Sequence, residues 1–524
     1  MFVWLPTKID GNIRTEDHPY IMWDLFEFSP TTVLVLVVVL AALWLLTQRP
    51  AGLPPGPPLL PVFGNALSMG ADPRVMFNNL RQTYGDIFSV YVFHKPIIVL
   101  NGYSVLKDAI VKNSDVFSDR PHSLLNNFIL RRKGVVASSG DLWREQRRFA
   151  ICTLREFGVG RSIMEDKIHD EVSQFLAAME MEKSEGFDCT RLVHNAACNV
   201  ICSTAFGRRF EYSDPLFRNF LKAIEECFET TGASCLLNIL PMLRFLPGDM
   251  FGFKRTMDNV RMIESLFIQP MIEEHLNTHD DNKVDNFIYA YIKEMRHRQK
   301  QQESTSLNLE NLRTVITDLF VAGSESIATT IRWALVYFLK YPDVQEKCFQ
   351  EIQENIGQSR QPSMKDKTNL PYMEATIMEV LRHADIAPVS ALHTVPHDVH
   401  FRGFNFPKGV PVALMLDSVL QDPDVWGDPD RFRPDRFLDD TGKIQKKDEF
   451  IPFSLGRRVC LGEAMARMEL FLFLTTMLQR FQFVPVNGQM PSLQGNIGLT
   501  HSPKPFLIKS IPRVQPLYSQ KSNK

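Results

Sequence analysis

The hydrophobic pattern divides the chain unevenly. Thr31 to Thr47 read TTVLVLVVVLAALWLLT, an uncharged apolar run with no polar face. About 17 to 25 apolar residues suffice to cross a bilayer as a helix, so the run predicts a single, little-tilted span. Trp23, Phe26 and Phe28 before it, and Trp44 near its end, stand where interfacial aromatics stand. A cleaved signal peptide is the competing reading. It lacks a basic region directly before the run and a small-x-small cleavage site after it. Asp24 and Glu27 precede the run and Arg49 follows it, an asymmetry that keeps the following chain in the cytosol. Next comes LPPGPPLLPVFGN, Leu53 to Asn65. Prolines fix φ and favour stiff, extended backbone, so this segment reads as a rigid spacer that sets the rest at a fixed angle to the membrane.

Further on, a helical stretch is predicted from Pro73 to Tyr84, and β-like runs from Ile87 to Phe93 and Ile97 to Leu100. From about 141 to 355 the periodicity is mostly helical, with loops predicted at the polar breaks Asn277 to Asp285 and Arg296 to Ser306. Leu309 to Tyr341 reads as one long helix of roughly 50 Å, stopped by Pro342. From 385 to 437 the chain is rich in Pro, Gly and Asp, with short β runs. A last strong helix follows Cys460. The expectation is a mainly α fold with a smaller β portion. It divides into a tail (1–30), a transmembrane anchor (31–47), a Pro-rich hinge (48–65) and one catalytic domain (66–524).

Composition narrows the classes. Hydrophobic residues make up 44% and charged residues 23%, the balance of a globular protein with a large core. With 58 basic against 60 acidic residues, the net charge of -2 supplies no field for nucleic acid or another polyanion. Eight cysteines in 524 residues, with no CxxC pair, fit a reducing compartment better than a disulfide scaffold. Cys198 and Cys202 read as two buried small residues one turn apart rather than as a metal site.

The densest chemistry lies in Phe453-Ser-Leu-Gly456-Arg-Arg458-Val-Cys460-Leu-Gly462. Glycines at 456 and 462 permit a tight backbone around a sulfur. A helix starting after Cys460 offers unpaired N–H groups and a positive dipole end. The same surroundings would lower the thiol pKa, and Arg458 is placed for an anionic group. The segment matches F-x-x-G-x-R-x-C-x-G, and the chain resembles the cytochrome P450 family. That resemblance implies the P450 fold, haem b, and Cys460 as the axial thiolate, which favours O–O cleavage.

Three further motifs occur in the family's order. Glu379-Val-Leu-Arg382 and Phe432-Arg-Pro-Asp-Arg436 supply a Glu379–Arg382–Arg436 cluster, structural rather than chemical by resemblance. Ala322-Gly323-Ser-Glu325-Ser326 lies in the long helix. Glycine in mid-helix costs about 1 kcal/mol relative to alanine. Either it allows close helix packing, or it opens the helix over the haem for oxygen. Glu325 and Ser326 take the family's acid and alcohol positions, a proton relay. Serine there, in place of threonine, implies leakier coupling. Trp143-Arg-Glu-Gln-Arg147 matches W-x-x-x-R, whose side chains meet a propionate. His393 falls where relatives carry His or Arg toward the other propionate, although Leu392 stands where proline is common.

The hinge, Asp119-Arg-Pro, Asp318-Leu-Phe-Val-Ala-Gly and Pro407-Lys-Gly look most like family 2, the microsomal animal enzymes. Pocket residues implied by that likeness are Phe128, Ala322, Ala387, Ala391 and Leu499, mostly apolar, and a lipophilic substrate follows. Fatty acids or related lipids are favoured over steroids and foreign compounds. A basic group of Arg131, Arg132, Lys133, Arg144, Arg147, Arg148, Lys446, Lys447 and Arg457 suits an acidic partner. By resemblance this is NADPH-cytochrome P450 reductase, with cytochrome b5 as a second donor, at the endoplasmic reticulum membrane. Leu236 to Pro247 is apolar enough to dip into lipid. The rival readings are a lipid-hydroperoxide isomerase or dehydratase working without reductase, and a non-catalytic membrane-anchored haem-binding protein.

Overall fold

The computed structural model describes residues 30–513 apart from 69, 71, 125, 126, 128–130, 158–161, 183, 184, 239 and 279–283. Phe128, the interfacial aromatics Trp23, Phe26 and Phe28, and the flanking acids Asp24 and Glu27 lie outside the described residues. The apolar run forms a helix, Pro30–Leu46, of 17 residues. At 1.5 Å per residue it is about 26 Å long, somewhat short of a hydrocarbon core of about 30 Å. Among the described residues no helix is long and apolar enough to cross a membrane. Its side chains from Val33 to Leu40, with Trp44 and Leu45, are nonetheless exposed and pack on nothing. Arg49, the one basic residue behind the cytosolic expectation, is tied down locally. Its guanidinium donates to the Ser89 carbonyl at 3.1 Å and to Pro57 O at 2.5 Å, and stacks over Tyr91. Ser89 N in turn donates to Pro55 O at 2.7 Å. The Pro-rich hinge is thereby docked along the first strand.

The Pro73–Tyr84 helix forms as its sequence predicts, opened by the Asp72 side chain accepting from Arg74 N. Strands Ile87–Val92 and Lys95–Leu100 pair antiparallel, with Ile87 opposite Leu100. Pro411–Leu414 then joins Lys95–Leu100 in parallel, and His393–Thr394 closes the sheet against Pro411–Leu414. Leu392 does not prevent that strand. An isolated bridge from Asp119 to Thr394 brings the 119–120 segment beside His393.

Everything else is mostly helical, and the core sits among the helices. The long helix spans Leu309–Lys340, 32 residues and about 48 Å, opened by the Asn308 side chain accepting from Asn311 N. Pro342 does more than stop it. It starts a second helix, Pro342–Asn355, where the missing N–H costs nothing. The loop expected from Arg296 begins later, because Phe287–Lys300 is helical to its end. Trp333, Tyr337 and Phe338 of the long helix are buried in one cluster with Phe471, Leu472 and Phe473 of the last helix, Glu463–Arg480. Burying each such side chain contributes about 1.5–3 kcal/mol. The long helix therefore runs through the core, and whatever it carries is held rigidly. Cys198 and Cys202 lie buried in the Thr190–Ala205 helix that packs on it.

Candidate active site

Two loops and two helices converge on Cys460. Gly456 sits at φ +71°, and a Cβ there would lie 1.8 Å from the Ile110 carbonyl oxygen, so only glycine lets the loop pass. Gly462 is different. Its φ of -92° is ordinary and a Cβ would meet open space, so a tight backbone is not its reason. Cys460 N donates to Phe453 O at 3.0 Å, which closes the loop, and Arg467 lies over the Phe453 ring at 5.0 Å. The helix start acts as the sequence predicts: the Gly462 and Glu463 N–H groups stabilise the thiolate, and Arg147 adds to them. Burial of the sulfur, with the Glu463 carboxylate beside it, outweighs all three, so the free thiol is raised, not lowered as expected.

Beside it stand three guanidiniums. Arg458 donates to Ser118 O at 2.8 Å, Val135 O at 3.1 Å and Ser138 O at 2.6 Å, and lies 3.9 Å over the Trp143 ring. Arg147 donates to Val459 O at 2.5 Å and also faces Trp143. The third, Arg120, donates to Ala391 O at 2.5 Å and Leu392 O at 2.8 Å. Among the described residues none of the three has an ion pair. Burial and mutual repulsion push Arg458 down to about 8, and Arg120 to about 10. His393 is buried too, its Nδ1 donating to Phe117 O at 2.5 Å, and burial beside Arg120 and Arg458 pushes it to about 3, so it is neutral. The Trp143 indole N–H is buried without a partner. Three cations, a neutral imidazole and an orphaned donor next to a cysteine are what a dianionic, metal-bearing cofactor would complete. Trp143, Arg147, His393 and Arg458 are thus brought together as the motifs suggest. Arg120 was missed as a site residue, although Asp119-Arg-Pro was its signal.

The Glu379–Arg382–Arg436 cluster is assembled and buried. Arg382 binds Glu379 through Nε and Nη2, at 2.8 Å and 2.9 Å, and Arg436 Nε reaches Glu379 Oε1 at 3.1 Å. The remaining guanidinium protons go to the carbonyls of Leu420, Pro429, Trp426 and Arg431. The cluster therefore fixes the meander that leads into the cysteine loop.

On the long helix, Ala322 is exposed and Ser326 Oγ donates to its carbonyl at 2.6 Å. Gly323 serves helix packing: a Cβ there would lie 2.6 Å from Ile201 Cδ1 on the Thr190–Ala205 helix. Glu325 faces the same neighbouring helix, with Oε2 3.1 Å from His194 Nε2, and accepts from Thr329 Oγ1 at 3.0 Å and Thr500 Oγ1 at 3.3 Å. Ala387 is half-buried, while Ala391 and Leu499 are exposed. His501 N donates to Ile386 O at 2.9 Å, which draws the Leu499 turn toward Ala387.

The protein is thus mainly helical with a small mixed sheet, and its cysteine loop is flanked by cations that have no ion pair among the described residues. Residues 54–510 match the family model for cytochrome P450. Human cytochrome P450 2U1 is 37% identical over 503 residues, covering 90% of this chain and 92% of its own. Rat cytochrome P450 2J3 is 37% identical over 94% of this chain and 98% of its own. Golden hamster (Mesocricetus auratus) cytochrome P450 2D27 is 40% identical over 88% and 93%. The chain belongs to the cytochrome P450 family and is most similar to its family 2 members. It is a haem monooxygenase, an oxidoreductase that binds haem b, uses O2 with NADPH-derived electrons, and works with a redox partner.

Proposed function

We propose that this chain is a membrane-anchored haem-thiolate monooxygenase that inserts one atom of O2 into a lipophilic substrate, a fatty acid or related lipid. The observation that carries it is the set of three guanidiniums without carboxylates, packed with Trp143 beside Cys460. Cys460 would hold the haem iron through its thiolate. Arg120, Arg147, Arg458 and the Trp143 N–H would receive the two propionates, with His393 as a neutral donor. Bound there, the haem supplies the activation of dioxygen. The chain's own part is to seat that group, to keep its apolar surroundings dry, and to bring protons along the long helix, with Glu325 as acid and Ser326 as alcohol.

Ala322, Ala387, Ala391 and Leu499 would border the substrate, and Phe128 stays with them as an expectation. Two exposed apolar surfaces support a membrane setting. One is the Pro30–Leu46 helix; the other is Met242, Phe245 and Leu246 in the predicted dipping segment. A single-pass anchor at the endoplasmic reticulum with the catalytic domain cytoplasmic fits both. The electron donor is NADPH-cytochrome P450 reductase, with cytochrome b5 as auxiliary. The basic group is partly neutralised on this chain, because Arg131 pairs with Glu264, Lys133 with Glu310, Arg144 with Asp141 and Arg457 with Asp115. Arg148, Lys446 and Lys447 then carry more of the steering.

The test is reconstitution with haem, reductase and NADPH under ¹⁸O2, with a panel of fatty acids and steroids. One labelled oxygen in a hydroxylated or epoxidised fatty acid is the expected result. Labelled steroid with unlabelled fatty acid overturns the substrate class. Product from a lipid hydroperoxide without NADPH, and none with it, overturns the monooxygenase reading in favour of an isomerase.

A further inference from the structure

Outside the cysteine recess, a second cavity of about 420 Å³ lies between the Thr190–Ala205 helix, the Pro215–Ser234 helix and the long helix. Its mouth is charged and exposed, with Asp188, Arg191 and Glu225. Its floor is His194, Asn195 and Glu325. A water needs only about 10–15 Å³ and a few polar partners, so a cavity with this lining has room for a file of waters. The cavity thus runs from bulk solvent to the carboxyl that precedes Ser326. His194 Nε2 and Glu325 Oε2 lie 3.1 Å apart, within ion-pair reach though not aligned as a hydrogen bond, and each side chain is less than one-fifth exposed (18% and 14%). Two more hydroxyls, Thr329 and Thr500, hold the other carboxyl oxygen. Burial alone would raise the Glu325 carboxyl. The His194 imidazole, Thr329 and the nearby Arg332 outweigh it and keep the group below the ordinary carboxylate range. No motif in the sequence marks His194, which stands 131 positions before its partner.

We infer that His194 is a positioning residue for the acid of the long helix: it holds Glu325 turned to the solvent-connected cavity, so that solvent protons enter there. This rests on the reading of Glu325 as the relay acid. Monooxygenation takes up two protons and two electrons per O2, yielding hydroxylated product and one water. The electrons come from NADPH through the redox partner. The protons come from cavity water, which is left as hydroxide and re-protonated by bulk solvent through the charged mouth. The other charged groups that face the His194–Glu325 pair are Arg332 on the long helix and Asp188, Arg191 and Glu225 at the mouth.

The experiment compares full-length haem-loaded parent, His194→Gln, His194→Lys and Glu325→Gln, each with an intact reduced-CO spectrum. Product per NADPH is expected to fall several-fold in His194→Gln, with peroxide rising to match. The His194→Lys variant, which places a cation on the same side of Glu325, should regain the yield. A His194→Gln enzyme with the parent's yield overturns the inference. If Glu325→Gln lowers the yield while His194→Gln does not, the relay reading stands and only the role of His194 falls. If Glu325→Gln has no effect, both fall. Thermal unfolding gives a readout independent of turnover: the double variant should melt no lower than the worse single one, and additive losses would show that the pair is not coupled.

Discussion

Single residues at this site act through charge that other residues fail to cancel. Arg458 donates to three carbonyls yet is held to about 8, because Arg120 and Arg147 repel it and burial penalises its charge. In the proposed function the cofactor's propionates are the anionic groups that would relieve this. Arg458→Leu and Arg120→Leu are therefore expected to bind haem less well without unfolding. The check is the rate of haem transfer to apomyoglobin, which should rise about tenfold or more, as expected for removing one charged hydrogen-bonding partner worth about 1.5–3 kcal/mol. Unchanged transfer would remove the propionate assignment. Ser326 carries a lighter consequence. Its hydroxyl already bonds back to the Ala322 carbonyl, and the missing methyl leaves it free to rotate. Ser326→Thr is expected to raise product per NADPH and lower peroxide; equal yields in both would refute the leaky-coupling expectation.

At the scale of elements, the long helix is bound to the 131–139 loop by one buried acid. Asp318 accepts from Val135 N at 2.7 Å and Val136 N at 3.1 Å, and its Oδ2 leaves no room for a side chain at Gly134. The loop that presents carbonyls to Arg458 thus hangs on this carboxyl. Burial raises Asp318 from an ordinary 3.8 to about 7, against the two N–H donors. The folded chain therefore holds a proton there that the unfolded chain has released. Its share of stability is present below about 4 and is lost as pH rises toward about 7. Asp318→Asn is expected to flatten that fall in the thermal midpoint between those limits. An unaltered pH profile would show that the carboxyl is ionised throughout. Gly323 carries a lesson at the same scale. From sequence it suits helix packing and an oxygen slot equally, and the Ile201 side chain supplies the packing contact.

For the whole molecule the open question is how it holds to a membrane. The Pro30–Leu46 helix is apolar all round and exposed, which suits lipid rather than a protein core. Met242 and Phe245 offer a second apolar contact. Removing residues 1–47 is expected to weaken but not abolish vesicle flotation, and adding Met242→Glu with Phe245→Glu should release the protein while the reduced-CO spectrum stays intact. Release by truncation alone would confine the anchor to the N-terminal helix.

Local signals were fully legible along the chain. The cysteine loop, the ExxR pair, the Pro73–Tyr84 helix and the long helix are short-range patterns whose physics, such as periodicity, caps and fixed spacings, acts within a few residues. Haem-thiolate chemistry followed from them. What tertiary structure decided involves partners far apart in sequence. Arg120 meets Arg458, His194 meets Glu325, and Arg49 locks the hinge to the first strand. Even the thiol's direction belongs here: the helix N–H groups lower it as the sequence implies, while burial, which no local pattern reports, raises it further. Desolvation and long-range pairing depend on which surfaces the fold brings together, and only packing sets that.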